Sequence, residues 1–181
     1  FFYNVFLFIF YSNYGKILLG DFMKNNIIKT NAMRILDQKK INYQVHTYCD
    51  SEAISGMEVA SVLNQDPNVV FKTLVTVGQS KINYVFVVPV NTELDLKKAA
   101  KAVNEKSIMM VKSKELLGLT GYIHGGCSPI GMKKQFKTIF HNSASNYSTI
   151  IFSGGKIGYQ IEMNLSDLNK LFNYKLDDII V

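Results

Sequence analysis

Cysteine is scarce in this 181-residue chain: Cys49 and Cys127 are the only two. Neither belongs to a C-x-x-C pair, so no disulfide framework and no thiolate zinc site is expected, and a reducing, cytoplasmic setting fits. Metal spacing is missing as well. The three histidines, His46, His124 and His141, form no HExxH and no HxE with distal cysteines. Neither a metal nor a cofactor is therefore expected. No Gly-Lys-Ser/Thr follows a glycine loop at the spacing a Walker phosphate loop needs. No apolar run approaches the roughly 20 residues that cross a bilayer. The opening stretch Phe-Phe-Tyr-Asn-Val-Phe-Leu-Phe-Ile-Phe is too short to span and lacks the basic start and cleavage site of a signal peptide. No repeat, low-complexity tract or linker interrupts the chain.

What is present suits one globular domain. Hydrophobic residues make up 48% and charged residues 19% of the chain, and a chain of this length buries roughly 70% of its unfolded surface. The formal net charge of +6 suits either a polyanionic partner, with Lys97, Lys98, Lys101, Lys133, Lys134 and Lys137 as candidates for phosphate neutralisation, or a basic surface with no partner.

Hydrophobic periodicity predicts a helix over 31–40 capped by Thr30 or Asn31, a strand over 43–48, and a second helix from a Ser55–Glu58 capping box toward Leu63. Runs 69–77 and 82–90 read as a hairpin across Gly78–Lys81. A helix over 95–103 puts Leu96, Ala99, Ala100 and Val103 toward a core. Short strands are expected at 108–111, 121–124, 138–141, 149–152 and 158–163, with helical turns at 114–117 and 167–172. Alternation early and clustered strands late predict a single α/β (α+β) domain, with a mixed sheet flanked by helices.

Gly125-Gly126-Cys127-Ser128-Pro129-Ile130-Gly131 is the stretch richest in chemistry. Two glycines admit close approach of backbone to a ligand, Ser128 adds a hydroxyl and Pro129 sets a bend. Such a loop can aim several N–H groups at one oxygen, or can be a tight structural turn. Lys72, expected beside Val70 and Leu74 on one strand face, is either a pocket cation or an edge-strand lysine. Thr73 points the other way and reads as structural. Ser153-Gly154-Gly155-Lys156 is either a pocket-shaping turn or a hairpin connection. Tyr48 ends the first predicted strand and, on the residues alone, fills the core. Cys127 has His124 three residues away but no third orienting group, so a nucleophilic thiol is disfavoured. No Ser-His-Asp or Cys-His set is evident.

Taken in order, Phe71-Lys72-Thr73-Leu74-Val75, Leu94–Ala100, Leu119–Ile123, the 125–131 loop and Ser153–Gly158 closely resemble the YbaK/EbsC family of bacterial aminoacyl-tRNA deacylases. These are relatives of the editing domain inserted in bacterial prolyl-tRNA synthetases. The resemblance runs from about Lys29 to Val181. It implies a YbaK-like, partly barrel-like sheet and a pocket for the aminoacylated 3′ end of tRNA. There Lys72 holds the terminal adenosine or a phosphate and stabilises charge near the ester. The expected catalytic set is Lys72, Gly125, Gly126 and Ser128. Tyr48, Pro129, Gly131, Gly154 and Gly155 are expected to bind substrate. His141 stands where many relatives carry Asp. In the cysteine-specific branch the substrate thiol attacks its own ester, releasing tRNA and a thiolactone. The implied substrate is Cys-tRNA(Pro), with Cys-tRNA(Cys) as a further one, and the implied partner is prolyl-tRNA synthetase, with no membrane and no metal. An alanyl-tRNA(Pro) deacylase that uses water and a silent tRNA-binding module are the rival readings. Residues 1–22 are expected to be an over-extended start, with Met23 as first residue and 23–181 as the domain.

Overall fold

A computed structural model describes residues 28–181; the expectations for residues 1–22 and for Met23 lie outside them. The chain enters helix α1 (Asn31–Gln38) through Thr30, whose hydroxyl accepts from the Met33 N–H. Ala32, Met33 and Leu36 are buried at helical spacing. Strand β1 (Gln44–Thr47) leads to helix α2 (Gly56–Val62), opened by the expected capping box. The Ser55 hydroxyl accepts from Glu58 N at 3.2 Å, and the Glu58 carboxylate accepts from Ser55 N at 2.9 Å.

The hairpin β2 (Phe71–Gly78) and β3 (Asn83–Pro89) forms the centre. Alternation splits it between two cores. Phe71 and Val75 face the main apolar cluster together with Val85 and Val87. Leu74, Tyr84, Phe86 and Val88 face a second cluster, with Ala99, Ala100 and Val103 of helix α3 (Leu96–Val103). Covering on both faces explains why Tyr84–Val88 reads as an unbroken apolar run. Leu96, expected in the core, is 43% exposed because it begins the helix beyond that cover.

Strand β4 (Ile108–Met110) pairs with Thr76–Gly78 of β2 only, and helix α4 (Ser113–Thr120) follows. Strand β5 (Lys137–His141) runs parallel to β3, and β8 (Tyr174–Asp177) parallel to β5. The five-stranded order is β4-β2-β3-β5-β8. Strands β6 (Ile150–Ser153) and β7 (Tyr159–Met163) complete a second, antiparallel sheet, β1-β7-β6. A bridge between Val70 and Ile151 links the two sheets, so the β-structure divides in two where one partly barrel-like sheet was expected.

Three further differences have local causes. The segment 121–124 is no strand: Gly121, at φ 84°, caps α4 in the left-handed region, and Tyr122 is held by side-chain bonds. The 3-10 turns Asn142–Asn146 and Leu165–Lys170 are short and capped by His141 and Asn164; the first was not anticipated. β8 is an exposed edge strand whose alternation is weak. No described helix is long and apolar enough to cross a membrane.

Candidate functional site

Because β4 and the following Val111 cover only the far end of β2, from Val75 onward, the stretch Phe71–Leu74 has an open edge. A cavity of about 440 Å³ opens there, between β2, helix α2, the start of α4 and the second sheet. Lys72 and Tyr48 line it, and Gly125 and Cys127 are the parts of the glycine loop that reach it. Lys72 lies toward the mouth, its side chain 26% exposed, with Nζ 3.0 Å from a Glu93 carboxylate oxygen. Glu93 is itself 82% exposed. An ion pair with one partner so wet is worth about 0–1 kcal/mol, so a phosphate can replace Glu93 at little cost. Tyr48 is buried at 7% exposure and walls the cavity.

The other expected residues are placed differently. Gly126, Ser128, Pro129, Gly131, Gly154 and Gly155 do not line the cavity. The Gly126 N–H donates to Ile123 O at 3.1 Å. Ser128 is fully buried, and its hydroxyl accepts from Ile130 N at 3.3 Å. A reacting ester cannot reach a hydroxyl so enclosed. Pro129 is buried in the same turn. Gly131, at φ 76°, leaves no room for a side chain: a Cβ would sit 2.7 Å from Asn31 Nδ2 and 3.0 Å from the Tyr122 hydroxyl. Asn31 donates to Gly131 O at 3.0 Å, and Tyr122 donates to Ile130 O at 2.6 Å.

The second glycine turn is bound to the same helix start. The Thr30 hydroxyl donates to Gly154 O, Gly154 N donates to Tyr159 O at 2.9 Å, and Gly155 packs against the Tyr122 ring. Both turns are thus pinned to the first residues of α1. They form a frame behind the cavity rather than its lining.

Ser153, from the turn read as either pocket-shaping or a hairpin connection, stands on the cavity wall, together with residues that sequence reasoning did not assign to the site. Ser153 and Gln160, direct partners across β6 and β7, both line it. Their cross-strand register was the available signal, hidden until β6 and β7 are aligned. Thr73, read as structural, lines it from the main-core face, and its hydroxyl is buried without a partner among the described residues. Cys127 lines it too, but burial pushes its thiol up to about 12, so it stays protonated at neutral pH and is no nucleophile. His124 is an exposed part of the rim. His141 lies outside the cavity. Its ring Nδ1 is 2.8 Å from Ser143 Oγ, and burial lowers its pKa from the usual imidazole value. Among the described residues no three His, Cys, Asp or Glu side chains gather as a metal group.

A walled cavity that, among the described residues, has one cation at its mouth and no paired nucleophile and base in its lining can bend and polarise a substrate better than it can attack one. Comparisons with known proteins meet that description. Residues 50–171 match the profile of the aminoacyl-tRNA editing domain. An Enterococcus faecalis protein assigned as a Cys-tRNA(Pro)/Cys-tRNA(Cys) deacylase, EbsC, is 47% identical over 152 residues, covering 83% of this chain and 93% of its own. A crystal structure assigned to a trans-editing enzyme for prolyl-tRNA synthetase superposes with a TM-score of 0.74 at 21% identity. It covers 86% of this chain and 99% of its own. A second, described as a hypothetical protein, gives 0.76 at 15% identity, over 84% and 100%. These two likenesses concern the fold. The domain match and the 47% identity establish the lineage: this chain belongs to the aminoacyl-tRNA editing domain family.

Proposed function

We propose that this protein deacylates mischarged tRNA, acting on Cys-tRNA(Pro) and Cys-tRNA(Cys) as its E. faecalis relative is assigned to do. The observation that carries the reading is the cavity's chemistry: Lys72 stands at the mouth, and the one thiol in the wall is held protonated by burial. The reactive sulfur then belongs to the substrate. Its thiol attacks the ester carbonyl of its own aminoacyl group; the C–S bond forms, the bond to the ribose oxygen breaks, and the thiol proton passes to that oxygen. The products are tRNA and a cysteine thiolactone. Holding sulfur and carbonyl in attack geometry is worth roughly 7–11 kcal/mol in the best intramolecular cases. Lys72 steadies the terminal nucleotide and the charge that develops at the ester, and Tyr48 offers a ring to the terminal adenine. Discrimination between tRNAs is assigned to a complex with prolyl-tRNA synthetase, because phosphate contacts carry little base information.

One assay tests this. Cys-, Ala- and Ser-tRNA(Pro) are incubated with the protein, and the released amino-acid product is identified. Rapid loss of the cysteinyl ester with thiolactone as first product supports the reading. Preferential hydrolysis of the alanyl ester would identify a water-using enzyme instead, and binding without turnover a silent module.

A further inference from the structure

Gln160 sits in β7, is only 5% exposed and lines the cavity. Its side-chain oxygen accepts from Gln65 Nε2 at 2.9 Å. Gln65 follows helix α2, anchored by its own N–H to Ala60 O at 2.8 Å, and does not itself line the cavity. With the oxygen engaged, the group that Gln160 has free is its NH2. No acceptor for it is present among the described residues, and it is not among the buried atoms left without a partner. The donor therefore opens on the cavity. Turning both amides over would bury the NH2 of Gln65 unpaired where its oxygen now lies. Protein interiors tolerate an unpaired carbonyl better than an unpaired N–H.

The ester end of an aminoacyl-tRNA offers complementary chemistry. Its ammonium group only donates, whereas its carbonyl oxygen only accepts. The Gly126 N–H expected to meet that oxygen donates to Ile123 O. We infer that Gln160 donates its amide N–H to the scissile carbonyl oxygen, and that Gln65 is the positioning residue that fixes the amide's orientation. The inference deepens the deacylase reading and rests on it. A neutral donor held in place by a buried partner binds the ground-state carbonyl weakly and the developing oxyanion more strongly. Its contribution accordingly falls on kcat.

Gln160→Glu keeps the size and removes the donor. Gln160→Met removes both polar ends without adding charge. Gln65→Glu can only accept from Gln160, and so turns the oxygen of Gln160 toward the cavity. With Cys-tRNA(Pro), all three variants are expected to lower kcat, the Gln160 variants by about 100-fold, with KM within about twofold of wild type. Combining Gln65→Glu with Gln160→Met is expected to add nothing further, because both act through one donor. Melting temperatures measured on the same preparations separate these effects from unfolding. Unchanged kcat in folded variants overturns the inference, and so does a change confined to KM. Should wild-type protein turn over no aminoacyl-tRNA, the deacylase reading fails separately. Binding of a 3′-phosphonate analogue of the tetrahedral intermediate, carried on adenosine, then reads the contact with the oxyanion: about tenfold weaker binding by Gln160→Met supports it, and equal binding overturns it.

Discussion

The two halves of the site treat their polar groups in opposite ways. In the 120–131 segment they satisfy one another: the Thr120 hydroxyl bonds Leu116 O, Tyr122 bonds Ile130 O, and Ser128 bonds Ile130 N. On the cavity wall they do not. Among the described residues, Thr73 has a buried hydroxyl without a partner, Lys72 holds only a solvent-exposed carboxylate, and Gln160 keeps a free donor. A buried polar group left unpaired costs about 1–3 kcal/mol. A fold tolerates that where a ligand completes the bond, and removes it where the backbone need only hold its shape. From this contrast we infer that binding and chemistry belong to the wall, and rigidity to the loop that the sequence makes most conspicuous.

The largest effect is expected at the wall. Lys72→Ala should lower kcat/KM for Cys-tRNA by about 100-fold or more, by removing the cation that meets charge at the ester. Its fold should survive, since the ion pair with Glu93 contributes about 0–1 kcal/mol. Glu93→Ala, which frees the lysine, should leave kcat/KM near wild type. Near-normal turnover in Lys72→Ala would break the comparison at its strongest point.

The loop should show the reverse pattern. Gly131→Ala introduces a Cβ 2.7 Å from Asn31 Nδ2 and 2.9 Å from Ile35 Cδ1, at φ 76°. About 1–2 kcal/mol for the left-handed backbone and about 1–3 for overpacking predict a clear fall in melting temperature, with activity per folded molecule retained. Gly126→Ala is milder, because its φ is ordinary and its nearest contact is Ile157 N at 3.3 Å. If Gly126→Ala loses turnover while keeping its stability, the loop supplies ester donors after all, and the division between frame and wall is wrong.

The fold was more legible in the sequence than the site was. Local signals held where physics is local: the Ser55–Glu58 capping box, the β2–β3 hairpin and the Ala99–Ala100–Val103 stripe all appear. Segment 121–124 deceived because Tyr122 and Ile123 are apolar, yet its backbone forms no ladder and is held by Thr120 and Ile130. β8 was missed because an edge strand that buries little carries little alternation. Within the site, Lys72 could be found because a lysine inside an apolar strand is locally odd. Gln160 could not. Its orientation depends on Gln65, 95 residues away, and on a β6–β7 register that no short motif records. Gly131 and Gly155 mark real backbone constraints, and at those two positions the constraint serves packing against Asn31 and Tyr122.

The smallest effect is expected at Cys127, which belongs to both regions: it leaves the loop and lines the cavity. Burial raises its thiol to about 12, so it is protonated in the fold throughout pH 6–9 and can neither attack an ester nor act as its base. Cys127→Ala should therefore keep most of its activity, with a kcat–pH profile parallel to wild type over that range. Iodoacetamide at pH 8 should label exposed Cys49 and spare Cys127 in the native protein. Stability carries the opposite signature. The unfolded thiol, with a pKa near 9, loses its proton before the folded one does. The contribution of Cys127 is thus fully present below that value and declines as pH rises toward about 12. The variant should show less of this alkaline decline than wild type. A neutral-pH limb in the activity profile that vanishes in Cys127→Ala would make the thiol a participant, and would return the reactive sulfur from the substrate to the enzyme.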